Sequence, residues 1–482
     1  MNTARTLFPA IRWDPTTGFA PARSAIEHGL EQGVGGFVLF GGEAAAVREL
    51  TGSLRARTTS PMLIGADLER GAGQQFRGAV QLPPLAAIGA LDDLGITRHA
   101  AALTAREALA LGVNWIFAPV ADLDIEAHNP IVGTRSFGAD PVRVAAHVTA
   151  WIEGCRDEGA LCCAKHFPGH GRTVDDSHAT LPVVAADRAA LEMDLTPFRA
   201  AVIAGADAIM TAHVAFPALD PSGSPATLSA PILDGLLRRE LGFEGLIVTD
   251  ALIMQGVLDA GGGDAGAAVA ALRAGCDALL YPAHPVAVQR AIDAELGNGL
   301  SRSRVARALG RLSGAAASAP ATGPAFGRAA DVAWSLGVAT RTIRVERGEA
   351  NGPREFDLLT VDDDVGGPYP APTRAPFLAA LREAGFDPRP VEHLDGSRAA
   401  IVAVYADIRA WKGRPGLSRA ARAALDGTYA CRPDATFLLF SHARLAPAVP
   451  GANVVVAWGG EAIMQTAAAR WLASETTPPS AA

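Results

Sequence analysis

Three things are scarce in this chain. Cysteine is one: Cys155, Cys162, Cys163, Cys276 and Cys431 form an odd set of five with no Cys-x-x-Cys spacing among 482 residues. That pattern gives no disulfide frame and no cysteine zinc site, and fits reduced, mostly buried thiols. An excess of positive charge is also missing, because 42 Lys and Arg face 50 Asp and Glu, for a net charge of -8. Without a general basic field to attract a polyanion, nucleic acid is not the expected partner, and a neutral substrate fits better. Long apolar runs are the third absence. No uncharged apolar stretch reaches about 18 residues, and MNTARTLFPAIRW contains no uninterrupted apolar segment, so no membrane association is expected and the chain reads as cytoplasmic.

Core-forming residues, in contrast, are plentiful. Hydrophobic residues make up 49% of the chain and charged ones 19%, enough to bury sizeable cores. The length exceeds one ordinary core and predicts a barrel-sized domain of roughly 250 residues or more with a smaller one beside it. Up to residue 282, short apolar runs alternate with helical stretches rich in Ala, Leu and Arg: 7–13, 36–41, 62–68, 113–120, 160–167, 206–214, 245–252 and 276–282. Near-continuous apolar strands separated by helices indicate a parallel sheet covered on both sides, and eight of them match an α/β fold of the (β/α)8 TIM-barrel type. The segment 314–327, rich in Ala, Gly, Ser and Pro, reads as a connection. A helix over 329–345 is expected next, then strands in DLLTVDD, AAIVAVYAD, ATFLLFS and NVVVAWG separated by helices, which predicts a smaller α/β layer domain. The expected layout is a barrel over 1–313, a connection over 314–334, a second domain over 335–476 and a frayed tail over 477–482.

Polar residues collect at the carboxyl ends of the barrel runs, where such barrels keep their active sites: Asp67, Asp122, Lys165, His166, His213 and Asp250. The densest stretch is Lys165-His166-Phe167-Pro168-Gly169-His170-Gly171, followed by Asp176-Ser177-His178. In extended backbone, side chains two apart face the same way, so Asp176 can hold His178 by one ring nitrogen and leave the other to exchange a proton. An isolated Asp-x-His fits a turn-capping aspartate beside a solvated histidine better; the preceding KHFPGHG motif reverses that reading in favour of the proton shuttle. Asp250 ends the apolar strand GLIVTD, placed either to attack an anomeric carbon or to cap the next helix. Asp67, with Glu69 and Arg70, and the stretch from Asn129 to Gly138 supply further charged groups of the kind that bind sugar hydroxyls or form structural ion pairs.

Taken together, KHFPGHG with the following DSH, NPIVGTRSFGADP, PATLSAPIL and VTDALIM resemble glycoside hydrolase family 3, in the two-domain type of its bacterial β-N-acetylglucosaminidase (β-N-acetylhexosaminidase) branch, over about residues 5–310 and more weakly beyond. The resemblance implies Asp250 as nucleophile, His178 with Asp176 as acid/base, and Asp67, Arg135, Lys165 and His166 as sugar-binding residues. It also implies that the second domain is an αβα sandwich. One stretch departs from the branch. Where its members commonly read DQEGGRVQRF, this chain reads DLERGAGQQF, so Ala72 and Gln75 replace two arginines. Arg70 is the expected compensation, and Arg70, Gln75 and Met254 complete the expected sugar-binding set.

The implied chemistry is a retaining double displacement on terminal N-acetylglucosaminides, without metal or cofactor. The small carbohydrate substrate is expected to derive from cell-wall turnover, a role in peptidoglycan recycling. Because a histidine does not repel phosphate as a carboxylate would, phosphorolysis stands as the first alternative. A β-glucosidase, a non-catalytic sugar-binding protein, and a metal cluster of His166, His170, His178 and Asp176 follow.

Overall fold

Each apolar run of the first part of the chain becomes a strand: β1 (Leu7–Phe8), β2 (Ala10–Arg12), β3 (Gly36–Phe40), β4 (Leu63–Ala66), β5 (Trp115–Ile116), β6 (Leu161–Phe167), β7 (Ala208–Thr211), β8 (Leu246–Val248) and β9 (Leu279–Leu280). The first run divides at Pro9, which has no N–H to give to a ladder, while its carbonyl still accepts Val38 N at 3.0 Å. The computed structural model that carries these strands describes residues 1–175, 180–320, 322–323, 325–349, 353–365, 372–409, 412 and 414–476. The chain divides into two units. One comprises Met1–Gln81, Asp93–Glu126 and Gly138–Asp331; the other comprises Leu82–Asp92, Ala127–Phe137 and Val332–Ala482.

The first unit is a curled parallel sheet in the order β2-β3-β4-β5-β6-β7-β8, with β1 paired to β9 and a parallel bridge from Val248 to Ala278. Every strand of this unit except β2 sends an apolar side chain into one cluster that includes Phe8, Val38, Leu63, Trp115, Leu161, Ala208, Leu246 and Leu280, closed by Leu312 and Ala316. Trp115 meets Phe8 and Phe117 edge-on at 5.3 and 5.1 Å, and Gly65 is required beneath Phe117 because a Cβ there would overlap its ring. Three helices, Leu94–Ala110, Pro141–Glu158 and Arg188–Ala204, pack side by side. Each starts on an aspartate, Asp93, Asp140 or Asp187, whose carboxylate accepts backbone N–H groups of the first turn. The helix Arg302–Ser318 runs into the Ala-rich start of the segment expected as a connection, and buries Ala316 there.

The second unit is a mixed sheet of β10 (Arg344–Arg347), β11 (Glu355–Asp362), β12 (Asp387–Val391), β13 (Ala400–Tyr405), β14 (Thr436–Phe440) and β15 (Asn453–Val456), in the order β10-β15-β14-β13-β11-β12. All pairs are parallel except β10 with β15. Two expectations are corrected. The helix expected over 329–345 ends at Thr342, because Arg344 and Val345 instead pair with Val456 and Val455 at the sheet edge. β12, Asp-Pro-Arg-Pro-Val, was not expected as a strand; it lies at the other edge, where proline costs no interior ladder bond. Among the described residues no helix is long and apolar enough to cross a membrane. Cys155, Cys162, Cys163 and Cys276 are buried free thiols, and Cys431 is exposed.

Candidate active site

The carboxyl edge of the first unit's sheet gathers its charged residues, and β6 supplies the centre. The register of β6 on β7 shifts between Lys165 and Phe167, so one extra residue enters the strand there. A bulge of this kind re-aims side chains out of strict alternation. Lys165, 1% exposed, places its Nζ 2.6 Å from Asp67 Oδ1 and 2.7 Å from Glu69 Oε1. The two carboxylates share this ammonium, and Asp67 is the more exposed of the two.

His166 and His170 share one buried carboxylate. Asp122 Oδ1 accepts His166 N at 3.1 Å and His170 N at 2.7 Å, while Oδ2 stands 2.7 Å from His166 Nδ1. Burial alone would raise the Asp122 carboxyl, but the charge and hydrogen bond of His166, joined by His170, hold it below the usual range. An ionised carboxylate only accepts, so His166 presents a proton to it on Nδ1. His170 Nδ1 pairs with Thr173 Oγ1 at 2.8 Å. Burial and then His166 lower the His170 imidazole to about 4, against the raising effects of Asp122 and Asp250, so this ring is neutral near pH 7. Gly171 lies on the backbone of Leu123 so closely that a Cβ would overlap its carbonyl.

Asp250 follows β8 by two residues, is half-buried, and accepts Ala251 N on Oδ1 at 2.7 Å. The Ala251 carbonyl lies 3.2 Å from His213 Nε2, and His213 Nδ1 lies 2.7 Å from Thr227 Oγ1. The backbone beside Asp250 is thus tied to β7, while Thr249 Oγ1 accepts Leu280 N at 3.0 Å on the other side. Cys163 reports the same field from below: burial raises its thiol, Lys165 lowers it, and Asp67 and Asp250 raise it further.

Among the other expected residues, Gln75 Oε1 accepts Gly41 N at 3.0 Å, and Arg70 N donates to Gln74 Oε1 at 2.7 Å, so much of the DLERGAGQQF stretch bonds to itself and to the end of β3. Met254 is buried at the start of the helix Gln255–Gly261. Arg135 closes the short turn Gly133–Arg135 and belongs to the second unit, with Ala127–Phe137. Asp176 and His178 lie outside the described residues. The flanks of their segment are fixed: Thr173 by His170, and Pro182 and Val184 by 2.9 Å backbone bonds to Ala215. Sequence reasoning noted Asp122 and His213 only as polar strand ends and did not assign the partnerships of Asp122, His170, Thr173 or Thr227. Among the described residues no group of three or more His, Cys, Asp or Glu is arranged to hold a metal ion.

Comparison with known proteins gives consistent matches. A family model described as the glycosyl hydrolase family 3 N-terminal domain matches residues 17–314. A β-hexosaminidase of Stenotrophomonas maltophilia is 39% identical over 306 residues, which is 61% of this chain and 88% of the relative. A β-hexosaminidase of Thiobacillus denitrificans is 40% identical over 266 residues, covering 52% of this chain and 72% of the relative. Beyond the first unit, a solved family 3 β-N-acetylglucosaminidase from Paenibacillus is similar with a TM-score of 0.86 and 27% identity, covering 99% of this chain and 96% of that one.

Proposed function

Since the chain belongs to glycosyl hydrolase family 3 and is a glycoside hydrolase, we propose that it removes terminal β-linked N-acetylglucosamine by double displacement with retention. The observation that carries this reading is the convergence at one sheet edge of the Asp67–Lys165–Glu69 and Asp122–His166–His170 groups with Asp250, in a chain 39% identical to a β-hexosaminidase. Asp250 attacks the anomeric carbon while protonated His178, steadied by Asp176, donates to the departing oxygen. Water deprotonated by His178 then releases the sugar. Asp67, Lys165 and His166 take the hydroxyls, as charge-assisted donors and acceptors do, and Arg135, Arg70, Gln75 and Met254 complete the sugar site. We read the curled sheet as a closed (β/α)8 barrel, supported by the Val248–Ala278 bridge and the pairing of β9 with β1. We read the second unit as an αβα sandwich. The substrate class fits sugars from cell-wall turnover handled in the cytoplasm.

The test is incubation with an aryl β-N-acetylglucosaminide, with and without phosphate, beside Asp250→Ala and His178→Ala. Free N-acetylglucosamine from the wild type, reduced about 10³-fold or more in Asp250→Ala, supports the hydrolase. Sugar 1-phosphate in the phosphate arm makes the enzyme a phosphorylase, and turnover untouched in Asp250→Ala removes that residue from the mechanism.

A further inference from the structure

The segment from Ala127 to Phe137 leaves the first unit's chain path and joins the second, and it carries Arg135. It is built to be rigid. The Asn129 carboxamide, fully buried, accepts Ile131 N at 2.8 Å and Val132 N at 2.7 Å. Arg135 N then bonds Val132 O at 2.8 Å, and Ile131, Val132 and Phe137 are buried.

The second unit grips this turn at three points just ahead of Arg135. The Arg444 guanidinium donates to the Asn129 carbonyl. Gly133 lies against Ile408, whose Cδ1 would be 3.3 Å from a Cβ at that position. Thr134 Oγ1 is 3.5 Å from Asp407 Oδ1. Asp407 and Ile408 follow β13 and Arg444 follows β14, so the grip is at the carboxyl edge of a sheet whose parallel strands run β12-β11-β13-β14-β15. Open parallel sheets of this order bind ligands outside their carboxyl ends; here the chain's own turn is held there.

That edge is costly to maintain. Lys412, 2% exposed, bridges Asp364 Oδ1 at 2.5 Å and the Asp407 carbonyl at 2.7 Å, and Asp407 and Asp364 are buried. Buried ion pairs add little stability over apolar packing, so retaining them points to a role in specifying one geometry. We propose that this charged edge is a positioning platform for Arg135, through which Arg444, Asp407 and Lys412 set the affinity for sugar without touching it. The inference rests on the reading of Arg135 as a sugar ligand. A turn fixed before binding spares the ordering cost that a loose one would bring, so the platform acts on binding more than on the chemical step.

The test uses the full chain, an aryl β-N-acetylglucosaminide, and the variants Arg444→Met, Arg444→Lys, Arg135→Ala and the Arg444→Met/Arg135→Ala pair. Arg444→Met is expected to raise KM about tenfold, with kcat within about twofold and substantial recovery in Arg444→Lys. In the Arg135→Ala background, Arg444→Met adds nothing further to KM. An unchanged KM in Arg444→Met, or fully additive effects, overturns the proposal. If Arg135→Ala itself leaves KM unchanged, the Arg135 reading fails, and amide exchange over residues 129–136 decides the platform separately: faster exchange in Arg444→Met upholds it, and unaltered exchange overturns it. Should Arg444→Met fail to fold, Thr134→Val, which removes one hydroxyl, carries the same cycle with an expected KM change of about two- to threefold.

Discussion

Replacing Asp122 with asparagine changes one proton position in a way the structure makes specific. Asp122 Oδ1 faces two backbone donors, His166 N and His170 N, at 3.1 and 2.7 Å. Backbone N–H groups cannot reverse role, so the single carbonyl oxygen of asparagine must take that side. The amide NH2 then faces His166 Nδ1, 2.7 Å away in the parent, and two donors collide. In its neutral form the ring relieves this by moving its proton to Nε2, which turns the outward nitrogen from an acceptor into a donor. Exchanging charge-assisted bonds for neutral ones costs about 1–2 kcal/mol, small enough for the fold to survive. If His166 Nε2 accepts from a sugar hydroxyl, the switch removes that bond and leaves a buried mismatch, a loss of about 10²-fold in kcat/KM, or roughly 2.7 kcal/mol. Nitrogen-15 imidazole spectra report the tautomer and aryl-glycoside kinetics the cost. An Nδ1–H signal retained in Asp122→Asn, with kcat/KM within about threefold of the parent, would refute the reasoning.

Two further predictions concern stability. Burial first, then neighbouring cationic groups, lowers His170 to about 4 and His442 to about 3 from 6.5. The unfolded chain therefore binds protons that the fold refuses, and stability is lost as pH falls below 6.5, by up to about 1.4 kcal/mol per pH unit for each ring. Urea midpoints at pH 7.5, 6 and 5 should fall in that order, and a midpoint constant across the series would contradict it. The second perturbation is Asp277→Ala. This fully buried carboxylate, at the amino side of β9, faces Arg238 at 2.6 Å, Arg304 at 2.8 Å and Arg311 at 3.4 Å. Its removal leaves three guanidinium groups without their shared counter-charge, for an expected loss of about 3–5 kcal/mol. The urea midpoint should drop sharply while KM at low urea stays near the parent value, and an unshifted midpoint would count against the cluster.

The strands of the first unit were legible because each is a short apolar run bounded by Gly, Pro or a charged residue, a signal that survives even where only Trp115 and Ile116 pair as β5. The second unit was legible only where strands are buried. β11, β13, β14 and β15 announce themselves as apolar runs, but β10 is exposed along its whole length, and β12 holds Pro388 and Pro390. Edge strands owe their existence to the neighbour they pair with, and local composition does not record that neighbour. The same applies to Leu82–Asp92 and Ala127–Phe137, which follow the first unit in sequence and the second in space.

At the site, residue types were legible and partnerships were not. Lys165, His166 and Asp250 stand out because charge at the end of an apolar strand is conspicuous, yet the residues that fix them come from other strands. Glu69 reaches Lys165 across 96 positions, and Asp122 reaches His166 across 44. The DLERGAGQQF stretch carries the argument one step further. Read by position, Gln75 stands for a lost arginine and belongs to the sugar; read by geometry, its carbonyl oxygen accepts Gly41 N, Gln74 accepts Arg70 N, and Glu69 holds Lys165. Glu69, Gln74 and Gln75 thus shape the loop and its link to β6, and in the proposed site the loop acts on sugar through where it puts Asp67 and Lys165 as well as through Arg70 and Gln75 themselves. A departure from a motif at one position is therefore better judged by what the replacement bonds to than by what the missing group would have touched.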